Sequence, residues 1–259
     1  MPSKKVYIVL MVIMILFFLV MFFLFGVKNI QQDRLESVLV VGDHTTWTYQ
    51  NRKWFYVRND SAFSQLNWQK FHVFEDGKEK GDYYLWHDDK WYVFNNKKEA
   101  IPFDGRMVAY YGNYRVKLLE FQEEEVEDYS FVHTVLEDHG LSTSSLFTSL
   151  YRVSVDFDGD SQTEDFYIMS NAFPLEFESD MTFSIAFMVK ENTIYYLYDD
   201  VSKTHGLQGC KPFYHSFIDT NYDGVYEVIV SCGKYSAEEQ IDMLYSYQEG
   251  AFKLLISNQ

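Results

Sequence analysis

Asp156-Phe157-Asp158-Gly159-Asp160-Ser161 and Asp219-Thr220-Asn221-Tyr222-Asp223-Gly224 set hard oxygen side chains at alternate positions of two short loops, sixty-three residues apart. Ca²⁺ takes six to eight oxygen ligands in flexible geometry, and this spacing in a tight turn suits it. In the second loop Asp219, Asn221 and Asp223 occupy positions 1, 3 and 5, and Gly224 at position 6 allows the sharp turn. The Val225 carbonyl at position 7 and the Glu227 carboxylate at position 9 complete the shell. In the first loop Asp156, Asp158 and Asp160 take positions 1, 3 and 5, and Gln162 offers the carbonyl. Ser161 stands where Gly would be more comfortable. Counting makes Glu164 the closing acid, whereas aligning the apolar runs after the loops favours Asp165. An EF-hand would need Glu at position 12 and flanking helices. Position 12 is Tyr167 in one loop and Val230 in the other, and the flanks read as strands. Mg²⁺ keeps more of its waters and demands a strict octahedron, so it fits less well. Carboxylates crowded into one turn repel, so a bound ion would contribute directly to folding.

The elements that position these loops form a repeat. Leu150–Asp156, Asp165–Ser170, Phe183–Lys190 and Ile194–Tyr198 read as four strands, the last two joined across Glu191-Asn192. Phe213–Asp219, Glu227–Cys232, Ile241–Gln248 and Phe252–Ile256 repeat the order, with Glu249-Gly250 as the corresponding turn. Four-stranded units recurring every ~60 residues have the form of propeller blades. The N-terminal half carries a weaker repeat: Tyr49–Trp54 resembles Trp86–Trp91, and Tyr110-Tyr111-Gly112-Asn113-Tyr114 signals another hairpin. About nine strand candidates fall between Val38 and Val135. The acidic run Glu123–Asp128 reads as a solvated connector between the halves. The expected fold is an all-β ectodomain, a propeller-like array of four-stranded antiparallel blades, with two stacked β domains as the alternative.

The pattern D-x-[DN]-x-D-[GS], followed by an acid and an aliphatic strand, spans Asp156–Ile168 and Asp219–Val230. It resembles the FG-GAP/VCBS-type repeats, over about Phe147 to Asn258. The resemblance implies calcium-loop blades of a β-propeller on a surface protein, and a binding scaffold rather than a reaction. Ser161, Tyr222 at a usual Gly position, and the absence of an FG-GAP tripeptide depart from the family pattern.

Val6 to Val27 is apolar without interruption for 22 residues. At about 1.5 Å rise per residue it spans roughly 33 Å, enough to cross a bilayer core. It is longer and bulkier than a signal-peptide core, and no A-x-A site follows. Lys4 and Lys5 precede it, so the positive-inside rule predicts a cytoplasmic tail (1–5), a single-pass membrane anchor (6–27) and a short stalk (28–37). The aromatic-rich β region (38–128) and the calcium-loop repeats (129–259) then lie outside the cytoplasm. There, Cys210 and Cys232 are read as a disulfide rather than two buried thiols. In a simple hairpin around the second loop they would be directly opposed, with Cα atoms about 4.5–5.5 Å apart.

A net charge of −16 argues against nucleic acid and anionic membrane surfaces as partners. The seven His fall in no metal-ligand spacing, and no nucleophile elbow or phosphate-binding loop is present. Trp47, Trp54, Trp68, Trp86 and Trp91 are read mainly as core, with sugar stacking as the alternative. The expected function is a membrane-anchored, calcium-stabilised binding or adhesion module with a protein or glycan ligand. The alternatives are an extracytoplasmic glycan-active hydrolase or lyase and a structural subunit of a membrane complex.

Overall fold

Strands whose successive residues are all apolar must be covered on both faces, because side chains alternate across a sheet. Phe166-Tyr167-Ile168-Met169 and Val228-Ile229-Val230 are such runs, and they fix how the sheets stack. The computed structural model describes residues 37–258 apart from 59, 102, 104–105, 113–115, 127–128, 143–148, 172–181, 203–209 and 235–239. Ser37–Gln259 forms one compact unit. The predicted anchor, Val6–Val27, lies outside the described residues, among which no helix is long and apolar enough to cross a membrane.

Among the described residues the fold is all-β, with antiparallel sheets, none of them closed. The first eight strands are β1 (Ser37–Val41), β2 (Thr45–Gln50), β3 (Lys53–Tyr56), β4 (Lys70–Glu75), β5 (Lys78–His87), β6 (Trp91–Phe94), β7 (Ala100–Ile101) and β8 (Met107–Gly112). They form one sheet of eight, ordered β3-β2-β1-β8-β4-β5-β6-β7, and no four-stranded unit separates from it. β8 inserts between β1 and β4, which joins two local meanders into one surface. A short helix, α1 (Asp60–Leu66), links β3 to β4.

The two expected four-stranded units are present as consecutive meanders. The first is β11 (Ser149–Val155), β12 (Glu164–Ser170), β13 (Thr182–Lys190) and β14 (Thr193–Ser202); the second is β15 (Cys210–Asp219), β16 (Glu227–Lys234), β17 (Gln240–Gln248) and β18 (Ala251–Ser257). Glu191 and Asn192 (φ +51° and +61°), and Glu249 and Gly250 (φ +55° and +79°), close their last hairpins as two-residue turns of the primed type. Two tiny strands extend these sheets. β9 (Lys117–Leu118) pairs with β15, and β10 (Glu124–Glu125) pairs with β11. The acidic run is therefore partly an edge strand rather than wholly a solvated connector. Arg152 pairs with Glu124 at 2.9 Å and Arg106 with Glu123 at 2.6 Å. Val132–Asp138, where the sequence shows no helical period, forms helix α2.

The β15–β18 sheet is the middle layer. Its Tyr214, Phe217, Val228, Val230, Met243 and Tyr245 face the β11–β14 sheet, meeting Val153, Phe157, Phe166 and Ile168. From the opposite side, Ile218, Ile229 and Leu244 meet Leu39, Trp47, Val108 and Tyr110 of the N-terminal sheet. The outer face of the β11–β14 sheet is covered by Val132, Val135 and Leu136 of α2. Each fully buried Phe, Leu or Val contributes about 1.5–3 kcal/mol, so three such interfaces dominate the fold.

Cys210 and Cys232 form the disulfide, with Cα atoms 5.5 Å apart, but they are not directly opposed. Cys232 faces Pro212, and Cys210 faces Lys234. The turn is centred beyond the middle of the acidic loop and β15 carries a bulge between Tyr214 and Ser216, so the bond runs diagonally across the ladder.

The interface with the N-terminal sheet also buries a carboxyl. Asp242 is 1% exposed and accepts hydrogen bonds from Ser231 and from Gln240 Nε2 (2.7 Å). Burial pushes its pKa above the ordinary carboxylate value, while Ser231 and Gln240 pull it back. The folded state therefore binds this proton more tightly than the unfolded chain, and stability falls as pH rises through that window. Asp242→Asn keeps the acceptor oxygen and removes the charge. It is expected to melt above wild type at pH 7, the difference vanishing below the unfolded carboxyl's pKa of about 3.9. A constant difference from pH 3 to 8 in thermal melts rules out this account.

Candidate metal centre

Both acidic loops are the first hairpin turn of their meander, β11 to β12 and β15 to β16. They are built alike. Position 4 is left-handed in each, Gly159 at φ +74° and Tyr222 at +63°, and so is position 6, Ser161 at +68° and Gly224 at +84°. Each loop thus holds one Gly and one side-chain-bearing residue in the two strained positions, in opposite order. The Asp at position 1 accepts from the N–H at position 6: Ser161 to Asp156 at 3.1 Å, Gly224 to Asp219 at 3.3 Å. The Asp at position 5 accepts from position 7: Gln162 to Asp160 at 2.7 Å, Val225 to Asp223 at 2.8 Å. The Glu at position 9 accepts from position 2: Phe157 to Glu164 at 3.3 Å, Thr220 to Glu227 at 3.0 Å.

Glu164 therefore stands where Glu227 stands, and the two are 2% and 4% exposed. Asp165, the other closing acid considered, lies on the opposite face of β12, where it accepts from Ser154 and from the Tyr167 hydroxyl. The loops also lie against one another. Tyr226 N–H donates to the Phe157 carbonyl at 2.8 Å, and a Cβ on Gly159 would approach the Gly224 carbonyl oxygen to 3.2 Å.

Their charges are handled differently. Asp156, Asp158 and Glu164 each bring an oxygen within 4.8 Å of the others. Lys190, at the end of β13, inserts its ammonium among the first loop's acids: 2.5 Å from Asp158 Oδ2, 3.0 Å from Glu164 Oε1 and 3.2 Å from Asp160 Oδ2. Burial alone would lower the Lys190 pKa, but hydrogen bonds to these three carboxylates outweigh it and hold it above the ordinary lysine value. Glu164 is pushed up by burial, with Lys190 pulling the other way. Asp160 is held low by the Gln162 N–H and then by Lys190. Asp156 Oδ1 is buried without a hydrogen-bond partner.

The second loop has no such ammonium. Among the described residues, no Lys, Arg or His pairs with Asp219, Asp223 or Glu227. Their oxygens turn to the loop's own donors: Tyr222 N–H to Asp219 (2.6 Å), Asn221 Nδ2 to Asp223 (3.0 Å) and Thr220 Oγ1 to Glu227 (2.8 Å). Burial pushes the Glu227 carboxyl up to about 7, against the pull of the Thr220 N–H and hydroxyl. A cavity of about 380 Å³ opens beside it, lined by Thr220, Glu227 and Ser246 and, from the β2–β3 hairpin, by Arg52, Lys53 and Trp54. Ca²⁺ fits this loop's donors: its side-chain donors are hard oxygens, two acids are buried, and among the described residues no cationic side chain pairs with them. The first loop offers the same donors with an ammonium already among them.

No protein-family model, curated protein or solved structure matches the chain. The site therefore rests on its own geometry. Lys190 was not visible in the sequence, where it is a strand-end lysine 30 residues beyond Asp160. The available signal is register: Asp165 opposes Val189, so the next pair outward is Glu164 with Lys190.

A non-Gly residue in left-handed backbone costs roughly 1–2 kcal/mol. Ser161→Gly and Tyr222→Gly recover part of this, offset by a looser unfolded chain. Gly224→Ala incurs the cost, and Gly159→Ala adds the close approach to the Gly224 carbonyl. Urea midpoints are expected to rank Ser161→Gly at or above wild type, then Gly224→Ala, then Gly159→Ala. Four equal midpoints would falsify the shared turn geometry.

Proposed function

We propose that this chain is a membrane-anchored, extracytoplasmic binding or adhesion module whose propeller-like stack of four-stranded blades is stabilised by calcium at its second acidic loop. The observation that carries the reading is the pair of like-built meanders, β11–β14 and β15–β18, packed face to face with their loops side by side. Blades of a propeller stack in this manner, each a four-stranded antiparallel sheet. This arrangement, with D-x-[DN]-x-D-[GS] in the first turn of each meander, supports kinship with the FG-GAP/VCBS-type repeats.

Val6–Val27 supplies the anchor, and Lys4 and Lys5 place the N-terminus in the cytoplasm. The Cys210–Cys232 disulfide supports an oxidising compartment for the rest. Outside the cell, calcium fills even weak sites with Kd on the order of 10⁻⁴–10⁻³ M. The second loop is the better-placed site, with Asp219, Asn221, Asp223, the Val225 carbonyl and Glu227 as its donors. When bound, the ion neutralises carboxylates that otherwise repel across the β15–β16 turn.

The surface supports binding. Trp47 and Trp91 are core, but Trp68 and Trp86 are 43% and 36% exposed. Their rings lie 5.5 Å apart, Phe94 is 5.1 Å from Trp68, and the Lys98 ammonium sits 5.7 Å over the Trp68 ring. Such a cluster stacks against a sugar face or an apolar side chain, which keeps both glycan and protein as ligand classes.

The test is the melting temperature of the full chain in detergent micelles, with calcium and with chelator. An ion present at 100 times its Kd adds about 2.7 kcal/mol, or roughly 5–10 °C for a domain of this size. Asp223→Ala is expected to remove most of that shift. A wild-type melt that does not move with calcium sinks the calcium reading.

A further inference from the structure

We propose that Lys190 is the resident cation of the first loop. In this chain the Asp156–Glu164 loop is closed by an ammonium and takes no divalent ion, and the residue at this register position decides whether the loop is open to metal. The inference rests on reading both turns as cation loops. It does not depend on calcium being bound at the second.

The geometry argues for it in three steps. First, Lys190 Nζ contacts Asp158, Asp160 and Glu164 at once, at 2.5–3.2 Å. Calcium takes its oxygens at 2.3–2.6 Å, so an ion on these carboxylates and this ammonium would occupy the same space. Second, the side chain is held there: it is 19% exposed, and its ammonium lies 5.9 Å from the Phe157 ring centre. Third, the sister loop provides a built-in comparison. Its turn has the same left-handed positions and the same backbone hydrogen bonds to the acids at positions 1, 5 and 9, but its third strand differs. Asp165 opposes Val189, so Glu164 is level with Lys190; Val228 opposes Tyr245, so Glu227 is level with Ser246. The acids converge in the loop that faces an ammonium. In the loop that faces Ser246 they take further donors from the loop itself, the Tyr222 N–H, the Asn221 amide and the Thr220 hydroxyl. Arg52 and Lys53 line the neighbouring cavity but pair with none of the second loop's carboxylates.

The experiment is calcium titration by calorimetry on the full chain in detergent micelles, with folding followed by cooperative melting. In an Asp223→Ala background, which disables the second loop, the chain with Lys190 intact is expected to bind no calcium. Adding Lys190→Ser, which copies Ser246, is expected to create one site per chain, lost again on Asp158→Asn. Lys190→Gln, which keeps an uncharged donor, is the reserve variant if Lys190→Ser melts without cooperativity, and the same gain of a site is expected. Calcium bound by the Asp223→Ala chain and abolished by Asp158→Asn overturns the proposal whatever the Lys190 variants do. So does a folded Lys190→Ser or Lys190→Gln chain that gains no site. The wild-type stoichiometry separates the two readings. Two ions per chain refute the ammonium-closed loop and leave calcium at the second loop standing. No ion removes the second-loop site and still agrees with a first loop closed by Lys190.

Discussion

The structure depends on one constraint: the β15–β18 sheet must bury both faces. Along β16, Val228, Val230 and Cys232 enter the core shared with β11–β14, while Ile229 enters the core shared with β1, β2 and β8. A strand of this kind has no solvent side, so a slip of one residue would exchange the contents of two cores. That makes the register of the middle sheet costly to alter. The polar groups trapped on its N-terminal side must then find partners there. Asp242 takes Ser231 and Gln240, and Asn258 reaches across to the Thr45 hydroxyl at 2.7 Å.

Stacking also determines the electrostatics. Two meanders packed face to face in the same sense bring their first turns to the same corner. Phe157, inside the first loop, is wholly buried against Phe166, Tyr247 and Phe252, so the loop's apolar residue anchors it to both sheets. Carboxylates at positions 1, 5 and 9 of both loops, and at position 3 of the first, are thereby concentrated in one small region. Backbone N–H groups satisfy part of this charge at positions 1, 5 and 9 of each loop and at position 3 of the first. In the first loop the chain adds a cation from β13, Lys190; in the second, the Tyr222 N–H, the Asn221 amide and the Thr220 hydroxyl supply further donors.

Local patterns in the sequence identified the C-terminal half because its pairings are local. All eight strands of the two meanders, both acidic turns and the Glu191-Asn192 and Glu249-Gly250 hairpins follow from residues close together in the chain. The N-terminal sheet was less legible. Its strands were visible as candidates, but the insertion of β8 beside β1 pairs Val41 with Val108, and no short-range signal encodes that. The same limit hid the diagonal placement of Cys210 against Cys232, since a bulge at one residue shifts a register that simple counting assumes constant. Helix α2 was missed because its apolar residues, Val132, Val135 and Leu136, make up less than two turns, too few to reveal a period of 3.6.

The two loops separate two things that a motif usually runs together. Alternate oxygens at positions 1, 3 and 5, an acid at position 9 and left-handed backbone at positions 4 and 6 specify how the turn folds. Both loops satisfy that specification down to their hydrogen bonds, although one has Asp at position 3 and the other Asn. The pattern does not specify the cation. The ammonium that meets the first loop's acids comes from the third strand, outside the motif, and reaches the loop because β13 pairs beside β12. A reader of the loop alone sees two equivalent sites, whereas the sheet distinguishes them by placing Lys190 at one and Ser246 at the other. The charge that meets the first loop's acids is therefore a property of the meander, set by its register.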